Sequence, residues 1–223
     1  MIADAPHDTM TEYSVSQMGG PVPPRWGGRV SSRQSLILEA AAGLIARRGV
    51  RGLRVEELAA EAGVSVGLVY YHFGDRAGLM RRTWEFINER AERYTRSDAD
   101  PDLDPRGRLE EMLLLELQDA PEVRENSTAW GEFRASSVFV PELGLQVREA
   151  TMHWVRDAQE LIRRGQDNGD IAPTVTPADA AERLTALVEG LSERWLAGSL
   201  PLDRARFLLR SALALELGSR PRG

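Results

Sequence analysis

The sequence contains no cysteine and no lysine, and only three histidines among its 223 residues. The absence of cysteine excludes disulfides, thiolate zinc sites and a cysteine nucleophile. All 28 basic residues are arginines, whose planar guanidinium suits phosphate and carboxylate partners. No stretch approaches the run of about 18 to 20 apolar residues that a membrane helix needs. We therefore predict a protein with no metal site, no cofactor and no membrane contact.

The composition is that of a folded globular chain, with 42% hydrophobic and 28% charged residues. The first 24 residues carry Asp4, Asp8 and Glu12 but no arginine, unlike the basic start of a secretory signal. Together these features predict a cytoplasmic protein.

The net charge of −6 is distributed unevenly along the chain. Residues 25–96 hold 13 arginines against eight acidic residues, a formal charge of +5. Residues 97–223 hold 15 arginines against 23 acidic residues, a formal charge of −8. This asymmetry predicts that the N-terminal part faces a polyanion and that the C-terminal part does not.

The first 31 residues are rich in glycine, proline, serine and methionine and show no periodicity, which predicts a disordered N-terminal tail. Arg25, Arg29 and the following Arg33 fit a basic arm along a DNA minor groove. A dispensable tail is the alternative, and the sequence leaves both open.

From Ser32 onward, apolar residues recur every three or four positions, which predicts an all-α fold of about nine helices. The first helix is predicted over 32–48, with Leu36, Ala40 and Leu44 on one face and an end at Gly49. The fourth follows Asp75 as N-cap and runs to about residue 96. Later helices are predicted at 105–119, 122–138 and 141–168. The last two begin with a hydroxyl cap, Thr176 or Ser199, ahead of a proline in the first turn.

Residues 54–73, RVEELAAEAGVSVGLVYYHF, predict two short helices joined by a tight turn at Gly63. The first helix buries Leu58, Ala59 and Ala62, and Ser65 caps the second. Val69 and Phe73 face inward on the second helix. The residues expected to face outward or sideways are Val66, Gly67, Leu68, Tyr70 and His72. So much uncharged and aromatic outer surface predicts contact with another molecule. In a helix-turn-helix, the second helix enters the DNA major groove.

The stretch from Ser32 to about Trp84, above all AAEAGVSVGLVYYHFGDRAGL, resembles the DNA-binding domain of the TetR family of transcriptional regulators. The resemblance implies a homodimer on a double-stranded operator, acting as a repressor that a small molecule releases. Burial in the core is a competing expectation for Tyr71. The DNA-binding residues expected are Arg54, Ser65, Val66, Gly67, Leu68, Tyr70, Tyr71, His72 and Arg76.

Four positions depart from the family pattern or adapt it. Arg54 stands where the family has a capping threonine, which loses the cap but adds a phosphate contact. Val66 and Leu68 replace a lysine and a threonine, so base readout is expected to rely on apolar contact, for instance with thymine methyls. Arg76 replaces the usual phosphate-binding lysine near a helix N-terminus.

The C-terminal half resembles the C-terminal domain of the betaine-repressor subgroup at Trp130, Pro141 to Leu143, Trp154 and Trp195. This resemblance identifies no ligand. Apolar stripes on the last two helices predict a four-helix dimer interface, as is usual for two-fold symmetric DNA-binding proteins. The interface residues expected are Leu184, Leu187, Val188, Leu191, Trp195, Leu202, Ala205, Leu209, Ala212 and Leu213.

Large apolar residues with an arginine and a histidine lie between these two regions and predict the lining of a ligand pocket. Simple core packing is the alternative for each of them. The predicted ligand is small, hydrophobic or aromatic, and carries a polar or anionic group. The lining residues expected are Phe86, Trp130, Phe133, Arg134, Met152, His153 and Trp154.

The sequence therefore predicts a disordered tail (1–31), a DNA-binding domain (32–78), a ligand-binding and dimerisation domain (79–218) and a short tail (219–223). Two other classes of protein compete with this interpretation. One is a helical scaffolding or interaction protein without ligand control, which leaves the basic patch unexplained. The other is an enzyme, which the lack of a glycine-rich phosphate loop and of a nucleophile elbow disfavours.

Overall fold

The computed structural model describes residues 32–96 and 103–218, and every regular element in these ranges is an α-helix. The predicted all-α fold is confirmed. The predicted tails, with Arg25 and Arg29, lie outside the described residues. The helices are α1 (Ser32–Gly52), α2 (Val55–Glu61), α3 (Val66–Phe73), α4 (Arg76–Arg96), α5 (Pro105–Leu114), α6 (Pro121–Ser137), α7 (Pro141–Asp167), α8 (Pro177–Leu196) and α9 (Leu202–Leu217). Within the two ranges no helix is both long enough and apolar enough to cross a bilayer.

The N-terminal helix boundaries follow the local sequence signals. Helical geometry breaks in α1 at Gly49, whose φ of 76° favours glycine, and Gly63 turns the chain between α2 and α3 with a φ of 66°. The Ser65 hydroxyl accepts a hydrogen bond from the Leu68 N–H at 3.2 Å and caps α3. The Asp75 carboxylate accepts one from the Gly78 N–H at 2.7 Å, as the N-cap predicted for α4.

The predicted caps of the last two helices are wrong. Thr176 precedes α8, but its side chain makes no capping hydrogen bond. The Ser199 hydroxyl donates instead to the backbone oxygen of Arg194 at the end of α8, and Pro201 immediately precedes α9. Pro177 is the first residue of α8, where its fixed φ suits the start of a helix, whereas Pro201 lies before the first turn of α9.

The buried apolar residues form two clusters. The first joins α1 to α4 with α6 and the start of α7, and it includes the fully buried Phe133 beside Trp84. The second joins α5, the rest of α7, α8 and α9. Because α6 packs on α1 and also on α8, it connects the helix-turn-helix region to the C-terminal helices. The domain boundaries given by the sequence stay a prediction.

The buried face of α1 is shifted from the predicted one. Ala40 and Leu44 are buried as expected, but Leu36 is 51% exposed. Ile37 and Leu38 are buried in its place. Successive helical residues are about 100° apart, so a stripe drawn through every fourth residue identifies the face only approximately. Ala62, expected in the core, is half-buried at the end of α2.

Most of the predicted dimer-interface residues lie inside the core of their own chain. A side chain that is already enclosed has almost no surface left for a second protomer, so the assignment is wrong for seven of the ten. The apolar periodicity of α8 and α9 indicates the faces that pack against the core of the same chain. The seven buried residues are Leu184, Val188, Leu191, Trp195, Ala205, Leu209 and Leu213. Leu187, Leu202 and Ala212 are half-buried.

The guanidinium of Arg76 holds the end of α1. As the first residue of α4, it donates hydrogen bonds to the backbone oxygens of Leu53 at 2.5 Å and Val50 at 2.9 Å. These carbonyls belong to the last turn of α1 and the link to α2, where carbonyls lack helical partners. Arg76 is nevertheless exposed, so its expected phosphate contact stays a prediction beside these two hydrogen bonds.

We predict that Arg76→Ala lowers the free energy of unfolding by about 1–3 kcal/mol, because two backbone carbonyls lose a charged donor. Urea unfolding at one fixed protein concentration measures the change. The control is Arg81→Ala on the same helix, because Arg81 is exposed and forms no ion pair with any described residue. We expect it to change stability by no more than about 0.5 kcal/mol. An Arg76→Ala protein as stable as wild type, with a weaker salt dependence of DNA binding, would contradict the structural role and leave only the phosphate contact.

Candidate DNA-binding surface and ligand cavity

Helix α3 presents an aromatic edge to solvent. Gly67, Tyr70 and Tyr71 are spaced by three and four residues, so they share one face of the helix. Tyr71 is 82% exposed and Tyr70 44% exposed. Val69 and Phe73 are buried on the opposite face and anchor α3 to the core. The structure thus gives α3 one buried face and one uncharged face open to a partner.

The other residues expected at the DNA are less uniformly placed. Leu68 and His72 flank the exposed edge and are half-buried. Val66 packs against the core, so it does not face outward as expected. Tyr71 lies at the surface, so core burial is excluded for it. The sequence left the exposure of Tyr71 undecided. Adjacent residues of a helix are about 100° apart, so the order of two tyrosines does not show which of them is exposed.

Several arginines surround this motif, and some are already paired. Arg47 of α1 contacts Glu61 of α2 at 2.7 Å, and Arg48 pairs with Glu57. Arg54 directly precedes α2, is exposed and makes no capping hydrogen bond. Its guanidinium forms no ion pair within residues 32–96 or 103–218, so its charge remains available to an anionic partner.

A cavity of about 180 Å³ lies among α4, α6, α7, α8 and the end of α5. An apolar cavity of about 150 Å³ is large enough to bind benzene, so this volume suits a small ligand. Four of the seven residues predicted to line a pocket line this cavity: Trp130, Arg134, His153 and Trp154.

The other three predicted lining residues lie elsewhere, and their assignment is wrong. Phe133 is fully buried, with its ring centroid 5.2 Å from that of Trp84. Phe86 lies beneath the guanidinium of Arg90, 5.6 Å from ring centroid to carbon. Met152 is 51% exposed at the surface of α7. Each of the three lies within two residues of a residue that lines the cavity, but on a different face of its helix.

Five acidic residues also line the cavity, and none of them was predicted from the sequence. Arg134 donates to Glu189 at 2.6 Å and also pairs with Glu193, so two of the five already neutralise the one arginine. His153 lies 3.6 Å from Asp157. The acidic lining disfavours the anionic ligand group expected from the sequence. The five are Glu92, Glu116, Asp157, Glu189 and Glu193.

Glu116 is the most enclosed of these carboxyls. It follows α5 in a turn, and the Tyr94 hydroxyl donates to its Oε2 at 3.1 Å. Burial raises the pKa of Glu116 to about 7, the Tyr94 hydrogen bond acts in the opposite direction, and the nearby charge of Glu189 adds to the increase. Burial and the charge of Glu116 also raise the pKa of Tyr94.

Buried hydrogen bonds join the cavity wall of α4 to α6. The Asn126 side-chain amide donates to the Tyr94 hydroxyl at 3.4 Å and to the Ile87 backbone oxygen at 3.2 Å. Arg90 donates to Asn126 at 2.8 Å and to Glu125 at 2.9 Å. Asn126 was not singled out in the sequence, because an asparagine within a helix gives no local sign of a partner more than 30 residues away.

Family models match both halves of the chain. The model for bacterial regulatory proteins of the tetR family matches residues 37–83. The model for the C-terminal part of the BetI-type transcriptional repressor matches residues 105–218, just over half of the chain.

Individual proteins give the same result. The HTH-type transcriptional regulator BetI of Burkholderia mallei (strain NCTC 10229) is 30% identical over 196 residues, covering 81% of this chain and 89% of that protein. A TetR-family transcriptional regulator from Rhodococcus sp. is 44% identical, with a TM-score of 0.78, covering 83% and 98% of the two chains. A transcriptional regulator from Saccharomonospora viridis, solved in complex with choline, is 26% identical, with a TM-score of 0.74 and coverage of 84% and 97%. This chain therefore belongs to the TetR family of transcriptional regulators.

Proposed function

We propose that this regulator is a homodimeric repressor that binds its operator through α3 and releases it when a small organic cation enters the cavity. The observation that carries the proposal is an acidic, aromatic cavity whose wall includes α4, the helix that follows directly on the DNA-binding motif.

The exposed edge of α3 is suited to the major groove of DNA. Tyr70 and Tyr71 offer ring faces and hydroxyls to bases and phosphates, and the exposed Gly67 allows close approach. Arg54 adds a charge for a backbone phosphate. The Ser65 hydroxyl already caps α3. We therefore expect Ser65 to contact the DNA through its exposed backbone more than through its hydroxyl.

The second protomer is expected on the outer faces of α8 and α9. Phe207 is 56% exposed and Leu215 is 85% exposed, both on α9. Ala186 is exposed on α8, and the half-buried Leu187 lies next to it. Large exposed apolar side chains on a surface helix are typical of an interface between copies of one chain. We therefore still expect α8 and α9 to form the dimer interface, but through residues on their outward faces.

The lining of the cavity favours a ligand with a positive charge. Glu189 and Glu193 neutralise Arg134, and Glu116 adds a carboxyl that no described arginine pairs with. Trp130, Trp154 and Tyr94 supply aromatic rings, which attract cations through their electron-rich faces. The choline bound by the Saccharomonospora viridis regulator is a ligand of this class. The small volume also suits a compact cation.

Helix α4 provides a direct connection from ligand to DNA. Tyr94 lines the cavity near its end, and Arg76 at its start holds the last turn of α1. These two residues are separated by about 27 Å along the helix. A ligand that moves α4 therefore moves the helix-turn-helix, and it favours release if it binds the released conformation better.

The remaining parts of the proposal follow from binding to DNA. Because the target is an operator, we place the protein in the cytoplasm. We assign it no catalytic activity, since regulation by binding requires no reaction. We keep residues 32–78 as the DNA-binding domain and 79–218 as the ligand-binding and dimerisation domain.

Tyr71→Ala should lower the affinity for the preferred operator by about 5- to 150-fold, the effect of losing about 1–3 kcal/mol of contact with DNA. The operator is first selected from random duplex DNA, and affinities are then measured by fluorescence anisotropy. Met152→Ala is the control, because Met152 is an exposed residue of α7 outside the cavity lining. It should bind the operator like wild type.

The same complexes report the stoichiometry. Two protomers should bind a duplex with two related half-sites whose centres are about 34–36 Å apart. A single protomer on the selected duplex, or equal operator affinity for Tyr71→Ala and wild type, would contradict the proposed binding mode.

Choline should bind more tightly than 3,3-dimethylbutan-1-ol, which has the same shape with carbon in place of the charged nitrogen. Trp154→Leu should weaken choline binding by about 2- to 30-fold, the effect of losing a cation–π contact of about 0.5–2 kcal/mol. Calorimetry measures both affinities, with Met152→Ala again as the control. Equal affinity for the charged and neutral compounds would exclude a charge-selective cavity.

A further inference from the structure

Glu116 differs from the other acidic residues of the cavity in its surroundings. Glu189 and Glu193 are paired with Arg134, and Asp157 lies beside His153. Glu116 accepts a hydrogen bond from the Tyr94 hydroxyl and forms no ion pair with any residue in the described ranges. It is thus a half-buried carboxyl whose partner is a neutral donor.

The groups that face Glu116 do not supply a free positive charge. Tyr94 and Glu92 come from α4, His153 and Asp157 from α7, and Glu189 and Glu193 from α8. Arg134 of α6 is the one arginine in the lining, and two glutamates already share it. The charge of Glu189 makes ionisation of Glu116 still less favourable. An enclosed carboxyl in such a site is stabilised by keeping its proton.

We propose that Glu116 selects charged ligands, because an entering organic cation takes the place of its carboxyl proton. This inference rests on the proposed cation ligand. The O–H bond of the carboxyl breaks, its electron pair stays on the carboxylate oxygen, and the proton passes to the buffer. The charge of the site is the same before and after, since one positive charge leaves and another arrives.

This exchange explains discrimination by charge. A cation compensates the carboxylate directly, and the Tyr94 hydroxyl continues to donate to it. A neutral molecule of the same shape offers no such compensation, so it leaves the proton in place and gains only apolar contact. Protons and cations therefore compete for one carboxyl.

The competition fixes the direction of the pH dependence. The pKa of Glu116 is about 7 in the empty cavity, and a bound cation lowers it. Cation affinity should therefore rise by about tenfold between pH 6 and pH 8 and level off above this range. One proton should be released for each cation bound at pH 6.

The test is calorimetric titration of the full-length protein with choline at pH 6, 7 and 8, in buffers that differ in ionisation enthalpy. Glu116→Gln should bind choline at least about tenfold more weakly at pH 8 and release no proton. Glu116→Asp keeps a titrating carboxyl and should still release one. Glu182→Gln is the control, because Glu182 is exposed on α8 outside the cavity lining. It should behave like wild type.

His153→Gln is a second control, because the imidazole of His153 also lines the cavity and can carry a proton. Proton release that persists in His153→Gln and is lost in Glu116→Gln supports the inference. Choline binding without proton release in wild type, or release that is lost only in His153→Gln, overturns the inference and leaves a cation-controlled repressor intact. If neither choline nor tetramethylammonium binds wild type, the cation ligand of the proposed function fails as well.

Discussion

The contact on which the arrangement depends is the one between Arg90 of α4 and Asn126 of α6. Arg90 is only 7% exposed; Glu125 compensates its charge, and the side-chain oxygen of Asn126 accepts a hydrogen bond from it. A buried charge is tolerated only with such partners, so α4 and α6 are held in one relative position. Residues of both helices line the cavity, and residues of both also belong to the first hydrophobic cluster. A movement of α4 therefore alters both the cavity and the first hydrophobic cluster.

Three carboxyls of the acidic lining avoid an isolated charge through their surroundings. Arg134 links α6 to Glu189 and Glu193 of α8, which closes one wall of the cavity. Glu116 relies on the neutral Tyr94 hydroxyl and on a raised pKa. The cavity thus has a place for one more positive charge, which is the physical basis of the proposed ligand class.

Helical periodicity, the turn at Gly63 and the caps at Ser65 and Asp75 were enough to predict the helices and the DNA-binding motif. These signals are local, because each concerns residues within one or two turns of each other. Periodicity also finds a buried stripe, but it does not say what covers that stripe. Leu209 accordingly seemed available to a second protomer when its own chain encloses it.

Only some of the residues that line the cavity could be predicted from the sequence, for a related reason. Trp130 and Trp154 are conspicuous in a sequence with few aromatic residues, and both line it. Glu116 lies in a turn with no local pattern, and the role of Arg76 depends on carbonyls 23 and 26 residues away. Contacts between distant segments decide the electrostatics of the site, and no spacing within one helix encodes them.

The central claim is that a cation in the cavity weakens the grip of α3 on DNA. The most direct measurement is the affinity of the wild-type protein for its selected operator with and without saturating choline. We predict a loss of affinity of about 5- to 150-fold, and an equal loss of choline affinity in the operator complex, since coupling between two sites is reciprocal. Choline that occupies the cavity by calorimetry yet leaves operator affinity unchanged would contradict the account.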